Sequence, residues 1–288
     1  MVTASIDSAT SVGRVALTVR NLAGVRDFYE RVVGLRAIDV GEEQVSLGAG
    51  DTPLVDLVED LAAPPRPPRT TGLFHLAILV PDRAELGHSL QRLVETRWPL
   101  AGASDHLVSE ALYLSDPEGN GIEIYRDRRR DEWQRDGDEL RMATLPLDLN
   151  DLLGELNGEP VAGSAVPAET CMGHVHLNVG DLDVGERFYA TLLGLDVTAR
   201  GYPGALFLSA GGYHHHVGLN TWRGVGIPSP PAGALGLRFY ELTLPEPAAL
   251  DEIVTRLRAG GEEVDSANGA ALTRDPAGNA VRLAVAVS

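Results

Sequence analysis

Apolar and polar positions recur with two different periods along this chain, and the change of period indicates its secondary structure. Arg14 to Val19 has the pattern of a strand. Its apolar end leads into residues 22–33, which have the spacing of an amphipathic helix that stops at Gly34, a typical C-cap residue. Short alternating stretches near 45–48 and 53–58 follow and predict strands.

The same cycle begins again at Leu73–Val80, where a strand is followed by Pro81-Asp82 and by a helix at about 83–95. Strand, helix and further strands occur in this order four times, starting near residues 14, 73, 174 and 237. The sequence therefore predicts an α+β fold of four tandem βαβββ modules, with a short helix near 149–155 between the halves.

The two halves of the chain also repeat each other in sequence. Residues 21–35, with Phe28-Tyr29 and Gly34-Leu35, recur 160 positions later as residues 181–195. The turn sequence Asp-Pro-x-Gly-Asn stands at 116–120 and again at 275–279, where proline and glycine fix the turn dihedrals. A duplicated domain explains both repeats.

The domain limits follow from these repeats, and we keep them as predictions. The first module pair covers 10–127 and the second covers 169–288, joined by a linker at 128–168. Within the pairs, the modules lie at about 10–62, 70–127, 172–222 and 235–286.

Composition narrows the choice of partners. The chain has 41 acidic and 24 basic residues, a net charge of −17, which disfavours binding to nucleic acid. The one basic cluster, Arg126 to Arg130, is interrupted by Asp127 and is interpreted as a solvated linker face. We expect no membrane segment and no signal peptide, and the single cysteine, Cys171, fits a reducing cytoplasm.

The combined motifs resemble those of a known superfamily. Four βαβββ modules, with Phe-Tyr-x-x-x-x-Gly-Leu after the first strand and Asp-Pro-x-Gly-Asn before the last, are similar to the vicinal oxygen chelate superfamily. That superfamily includes glyoxalases, bleomycin resistance proteins and extradiol dioxygenases, and the segments 72–83, 104–128 and 211–222 resemble its bacterial catechol-2,3-dioxygenase branch. The resemblance implies two cup-shaped domains of mixed sheets.

The resemblance implies metal ligands on the first and last strands of a module pair. Aligning the four first strands gives four equivalent positions, which hold Arg14, His75, His174 and Phe239. The carboxylate position on the last strand holds Glu123 in module two and Arg282 in module four. Two histidines and one carboxylate form the triad of non-haem Fe(II) oxygenases. We therefore expect His75, His174 and Glu123 to bind Fe(II), or Mn(II), in a cup made by modules two and three rather than by sequential pairs.

The same resemblance implies catalytic residues. Tyr113 stands ten residues before Glu123, and His215 matches the acid–base histidine of an HxVAF-like strand; His106 is a candidate substrate contact. His176, on the same strand face as His174, and the pair His214 and His216 remain alternatives that ligate the metal or bond to its ligands. If residues 214–220 form a regular strand, either His215 or the pair faces the cup.

The implied function is extradiol cleavage of a small aromatic diol, a catechol, by O2 at Fe(II), which yields a hydroxymuconic semialdehyde. A glyoxalase- or epimerase-like metalloenzyme is one alternative, although it would need a further carboxylate or glutamine near the metal. A metal-free protein that binds an aromatic antibiotic is the other. A homo-oligomer is compatible with all three.

Overall fold

In the computed structural model, residues 5–137, 139–156 and 165–286 are described. They form two compact units: one comprises the chain up to Val15, Pro64–Phe74 and the chain from His174 onward, and the other comprises Ala16–Ala63 and His75–Gly173. Residues 138 and 157–164 of the predicted linker lie outside the described residues. The predicted limits of the module pairs stay predictions.

Each of the four modules contains one α-helix and four strands. Module one consists of β1 (Ser11–Val19), α1 (Leu22–Phe28), β2 (Arg36–Val40), β3 (Gln44–Ala49) and β4 (Thr52–Glu59). Module two consists of β5 (Gly72–Leu79), α2 (Arg83–Thr96), β6 (Gly102–Asp105), β7 (Ser109–Ser115) and β8 (Gly121–Asp127). Strand β2 is one that the sequence pattern did not indicate.

The segment after module two carries short elements only. They are a 3-10 turn (Arg130–Glu132), β9 (Arg135–Asp136), β10 (Glu139–Leu140), β11 (Leu145–Pro146) and α3 (Leu149–Gly154). Helix α3 confirms the short helix expected near 149–155. It begins at Asp148, whose carboxylate accepts the backbone N–H groups of Asn150 and Asp151.

Modules three and four repeat the order of the first two. Module three consists of β12 (Cys171–Asn178), α4 (Leu182–Glu186), β13 (Asp196–Ala199), β14 (Ala205–Ser209) and β15 (Val217–Asn220). Module four consists of β16 (Gly236–Leu244), α5 (Pro247–Ala259), β17 (Asp265–Ala267), β18 (Ala270–Arg274) and β19 (Ala280–Val285).

The strand order is the same in all four modules. The three later strands follow one another, and the first strand lies beside the last, as in β6-β7-β8-β5 and β13-β14-β15-β12. The first and last strands run parallel in the pairs β5/β8, β12/β15 and β16/β19. A parallel pair needs a long crossover, which the helix and the intervening strands supply. The predicted α+β class with βαβββ modules is confirmed.

The Phe-Tyr repeat packs alike in both halves. Phe28 and Tyr29 meet edge to face with ring centroids 5.2 Å apart, and Phe188 and Tyr189 meet at 5.1 Å. In each half, a π-helical turn (Tyr29–Val33, Arg187–Leu192) extends the helix and buries the tyrosine completely. The turn is followed by a glycine with positive φ, 93° at Gly34, which a side chain would strain.

None of the helices in the described part of the chain has the length and apolarity needed to cross a bilayer.

Candidate metal centre

His75 and Glu123 are brought together by the parallel pairing of β5 with β8. Ala77 is the register partner of Glu123, two residues beyond His75 on β5. His75 Nε2 lies 3.0 Å from Glu123 Oε2, and both side chains are buried. The sequence therefore folds an imidazole and a carboxylate into direct contact in the interior.

His174 on β12 supplies a third donor. One ligand atom from each of His75, Glu123 and His174 lies within 4.8 Å of the other two, and all three residues are buried. This is the cluster that the sequence predicts.

The chemistry of these donors fits a divalent cation. Burial of a carboxylate is costly, and a bound cation offsets part of that cost. Two imidazole nitrogens and one carboxylate oxygen are the donor set of the facial triad, which leaves coordination positions open for a chelating substrate. His75, Glu123 and His174 are thus the residues that would hold the metal ion.

Gly173, which precedes His174, leaves room for Tyr125 of β8. A Cβ at this position would lie 1.7 Å from the Tyr125 hydroxyl, so a larger residue would displace that ring. Tyr125 is fully buried and packs with Ala77 and Ala111. The start of β12 is therefore fitted closely to the strand that carries Glu123.

Tyr113 lies directly opposite Glu123 across the antiparallel β7/β8 pair. Its ring centroid is 5.7 Å from that of His75. Its hydroxyl is 2.6 Å from His106 Nε2, while His106 Nδ1 is 2.6 Å from the carbonyl oxygen of Ala143. Because a carbonyl can only accept, His106 carries its proton on Nδ1 and donates it to Ala143. In neutral His106, Nε2 therefore accepts the hydrogen bond that the Tyr113 hydroxyl donates.

The three consecutive histidines do not form the regular strand on which the sequence argument depended. Residues 213–216 precede β15, which begins at Val217. The condition for a choice between His215 and the pair His214 and His216 is therefore not met, and the role of each histidine stays a prediction. The rings of both His215 and His214 lie against His174, at centroid distances of 4.0 and 5.9 Å.

Two of these histidines lie within hydrogen-bonding distance of each other, and the third bonds to the backbone. His214 Nδ1 and His215 Nδ1 are 2.7 Å apart, so one of the two donates to the other. His216 Nδ1 accepts the backbone N–H of Ala210 at 3.1 Å. His215 thus lies closer to His174 than His214 does, and His216 bonds to the backbone.

His176 belongs to a row of aromatic rings. It lies 5.2 Å from Phe74, 5.2 Å from Trp222 and 5.7 Å from Phe207 between centroids. Its ring covers Gly218, where a Cβ would come within 3.0 Å of the imidazole. Phe207 continues the row to His215, at 4.9 Å. The row leads from the buried rings of Phe207 and His176 to Trp222, which is 46% exposed.

The equivalent positions in modules one and four hold an ionic cluster. Glu241 of β16 bonds to Arg282 and lies 3.9 Å from Arg14, and Arg282 also lies over the Phe239 ring. Arg14 occupies the position in module one that is equivalent to His75, and Arg282 occupies the position in module four that is equivalent to Glu123. No second set of clustered metal-ligating residues occurs among the residues that the structure describes.

The charges around Glu110 were missed by the sequence reasoning. Glu110 is buried in β7 and accepts hydrogen bonds from Arg83, Arg126 and Arg128. The interpretation of Arg126 to Arg130 as a solvated face is therefore wrong for Arg126 and Arg128. A usable signal existed, because the register that puts Tyr113 opposite Glu123 also puts Glu110 opposite Arg126.

Comparisons with known proteins agree with this description. The sequence model of the Glyoxalase/Bleomycin resistance protein/Dioxygenase superfamily matches residues 11–124 and 172–283. A protein of Bacillus subtilis (strain 168) named catechol-2,3-dioxygenase is 42% identical over 281 residues, which cover 96% of this chain and 97% of the relative.

Solved structures share the fold. Glyoxalase I from Zea mays has a TM-score of 0.60 at 16% identity, over 96% of this chain and 92% of that one. The CppA protein from Streptococcus pneumoniae TIGR4 has a TM-score of 0.56 at 12% identity, over 96% and 99% of the two chains. The sequence resemblance is confirmed: this chain belongs to the glyoxalase/bleomycin resistance protein/dioxygenase superfamily.

Proposed function

We propose that this chain is an extradiol dioxygenase that uses non-haem Fe(II), held by His75, Glu123 and His174, to cleave a catechol beside its two hydroxyl groups. The observation that carries the proposal is the buried cluster of these three residues, whose ligand atoms lie within 4.8 Å of one another. The name of the Bacillus subtilis relative supports the choice of reaction.

The reaction consumes one O2 per catechol, and both oxygen atoms enter the product. Ring opening next to the diol gives a hydroxymuconic semialdehyde. When bound, the metal ion supplies a Lewis acid and redox centre that lowers the pKa of a coordinated hydroxyl and brings the diol and O2 together.

Tyr113 and His106 handle the proton of the substrate in this proposal. The Tyr113 hydroxyl, opposite the ligand Glu123, accepts a hydrogen bond or a proton from a substrate oxygen. It can pass its own proton to His106 Nε2, which lies 2.6 Å away and is an acceptor because Nδ1 donates to Ala143. This relay leaves the tyrosine neutral and places the proton and its positive charge on His106, which becomes an imidazolium.

His215, whose ring centroid lies 4.0 Å from that of His174, is the proposed acid–base group. Its Nδ1 lies 2.7 Å from His214 Nδ1, and we assign the reaction to its Nε2. An imidazole can hold or release a proton near neutral pH, which suits proton delivery to oxygen during ring opening. Phe207 and the ring of His176 provide apolar surface for the aromatic substrate beside these groups.

The test is O2 uptake and yellow product formation with catechol, after anaerobic loading with Fe(II) and, in parallel, with Mn(II), Zn(II) or Ni(II). We expect turnover with Fe(II) or Mn(II) that stops on chelation. Stoichiometric metal binding without ring cleavage, together with activity in proton-transfer assays on Zn(II) or Ni(II), would instead support a glyoxalase-like enzyme. Absence of metal binding would contradict the proposal altogether.

A further inference from the structure

We infer that Glu110 is a positioning residue, which holds the His106–Tyr113 pair in its hydrogen-bonded geometry through a cluster of arginines. The inference rests on the proposed function for its catalytic consequence. The structural part, that Glu110 fixes the orientation of His106, can be measured separately.

Glu110 collects three guanidinium groups at one buried carboxylate. Arg83 and Arg126 each donate from Nε to Oε2 at 2.9 Å, and Arg128 donates from Nη2 to Oε1 at 2.9 Å. Glu110 itself is 4% exposed. Charge-assisted hydrogen bonds of this kind are strong and directional, and the loss of the carboxylate would leave three arginines facing one another.

Arg128 connects this cluster to the residue before His106. The same Nη2 atom that bonds to Glu110 donates to Asp105 Oδ2 at 2.7 Å. The other carboxylate oxygen of Asp105 accepts the backbone N–H of Leu107 at 2.8 Å, and Leu107 has a positive φ of 69°. A leucine rarely adopts this conformation, so the Asp105 bond helps to hold a costly turn. His106 stands between the two residues that Arg128 and Asp105 fix.

Arg83 connects the cluster to the segment that carries Ala143. It donates to Asp151 and to Glu155, each at 2.7 Å, around helix α3. The same segment pairs with β6, where Leu145 is the partner of Asp105. Partial burial of Arg83 itself lowers its pKa, but the hydrogen bonds to Glu155, Glu110 and Asp151 outweigh this effect and raise the pKa above its ordinary value, so that Arg83 stays charged. Both partners of His106, the Ala143 carbonyl and the Tyr113 hydroxyl, are therefore on elements that the Glu110 cluster connects.

The distances explain why this support matters. His106 bonds to Tyr113 and to Ala143 at 2.6 Å each, and such short bonds leave little room for a displaced hairpin. A displacement of about 1 Å in a positioned group can lower the rate roughly 100-fold. The side-chain hydrogen bonds of Glu110 lead to Arg83, Arg126 and Arg128, so its effect on the proposed site would pass through the geometry of His106.

The experiment compares Glu110→Gln with Glu241→Gln. Glu241 is the matched control, because it is also a buried strand glutamate bonded to arginines, yet it belongs to module four. We expect E110Q to lower kcat about 10- to 100-fold with a KM for catechol within about twofold and with full metal content. E241Q should keep the wild-type kcat.

A second readout does not depend on activity. In the metal-free protein labelled with 15N-histidine, the His106 signals, assigned by their absence from H106Q, should show protonated Nδ1 and unprotonated Nε2. E110Q should shift or broaden these signals toward mixed tautomers, whereas E241Q should not. If E110Q does not fold, Arg128→Gln replaces it, because it removes only the bridge between Glu110 and Asp105.

The outcomes separate the two proposals. Suppose that the wild-type protein cleaves catechol and that E110Q and R128Q keep its kcat and its His106 signals. This result would overturn the positioning role and leave the dioxygenase proposal intact. A wild-type protein that binds metal but never cleaves catechol would contradict the dioxygenase proposal, while altered His106 signals in E110Q would still support the positioning role.

Discussion

Tyr113 and Glu123 face each other as register partners on the antiparallel strands β7 and β8. Directly opposed residues of such a pair have side chains on the same face of the sheet, with Cβ atoms roughly 4.5–5.5 Å apart. A proposed metal ligand and a hydroxyl group therefore emerge side by side from one hairpin, whose turn is the Asp-Pro-x-Gly-Asn sequence. The hairpin accordingly fixes two chemical groups through a single register.

Replacement of a triad residue should abolish tight metal binding. Glu123→Gln keeps the size of the side chain but removes the charge, and His174→Ala removes a nitrogen donor. Loss of residues that merely support ligands costs about 10- to 100-fold in affinity, so loss of a ligand should cost more than about 100-fold. Isothermal titration of the anaerobic protein with Fe(II) measures this directly.

His88→Ala is the control for this experiment, because His88 lies on helix α2 with Glu85 as its partner. It should retain wild-type metal affinity. Full retention of affinity in E123Q or H174A would mean that the three buried donors do not form the metal site, and the proposed function would lose its main support.

Tyr113→Phe should separate proton transfer from metal binding. The variant keeps the ring beside His75 but removes the hydroxyl that bonds to His106. Groups that transfer protons contribute about 100- to 10,000-fold to rates, so kcat should fall within that range. Steady-state O2 uptake gives kcat, and titration should show unchanged Fe(II) affinity. A wild-type kcat would show that Tyr113 serves only as packing.

Most of the fold could be predicted from the sequence because the duplicated motifs constrain it twice. Both Asp-Pro-x-Gly-Asn turns form the same bonds: the carboxylates of Asp116 and Asp275 accept backbone N–H groups two and four residues later. The cluster of His75, Glu123 and His174 was predictable in the same way, since equivalent strands place equivalent residues at one position. Pattern and register are enough for the turns, whereas the cluster also required the resemblance to the superfamily.

Features that depend on local irregularity or on charges far apart in sequence could not be predicted. Strand periodicity does not reveal that residues 213–216 precede β15, and this loop lets His214 and His215 both reach His174. Nothing in the sequence around Arg128 distinguishes it from a solvent-exposed arginine. Only the fold shows that it bonds to the buried Glu110.

Adjacent substitutions at His215 and His216 test which histidine takes part in the reaction. Both residues are 8% exposed, so His215→Asn and His216→Asn disturb similarly buried positions. Only the first loses an imidazole next to His174, and in the second the asparagine oxygen can still accept the Ala210 N–H. We expect kcat to fall about 100-fold or more in H215N and less than about tenfold in H216N. The opposite ranking in single-turnover assays would assign the role to His216.

Asp275 makes the stability of the fold depend on pH. Its carboxylate is buried at the turn before β19, where it accepts bonds from Asn279, from Tyr189 at 2.8 Å and from Ala277. Burial raises its pKa above the ordinary value of 3.8, and these hydrogen bonds offset the increase only in part. The folded state therefore binds this proton more tightly than the unfolded state does.

Asp275→Asn should consequently be most costly at low pH. The protonated carboxyl contributes its full stability below the unfolded pKa, and this contribution is lost as the pH rises through the folded pKa. The asparagine does not titrate, so the difference in free energy of unfolding between wild type and D275N should shrink as the pH rises from about 4 to 7. Urea unfolding of the metal-free proteins across this range measures the difference.

Asp116→Asn, at the repeated turn, should give the same sign, because burial also raises the pKa of Asp116. A difference that widens with pH in both variants would show that these carboxylates are stabilised as anions, and that the turn hydrogen bonds outweigh their burial.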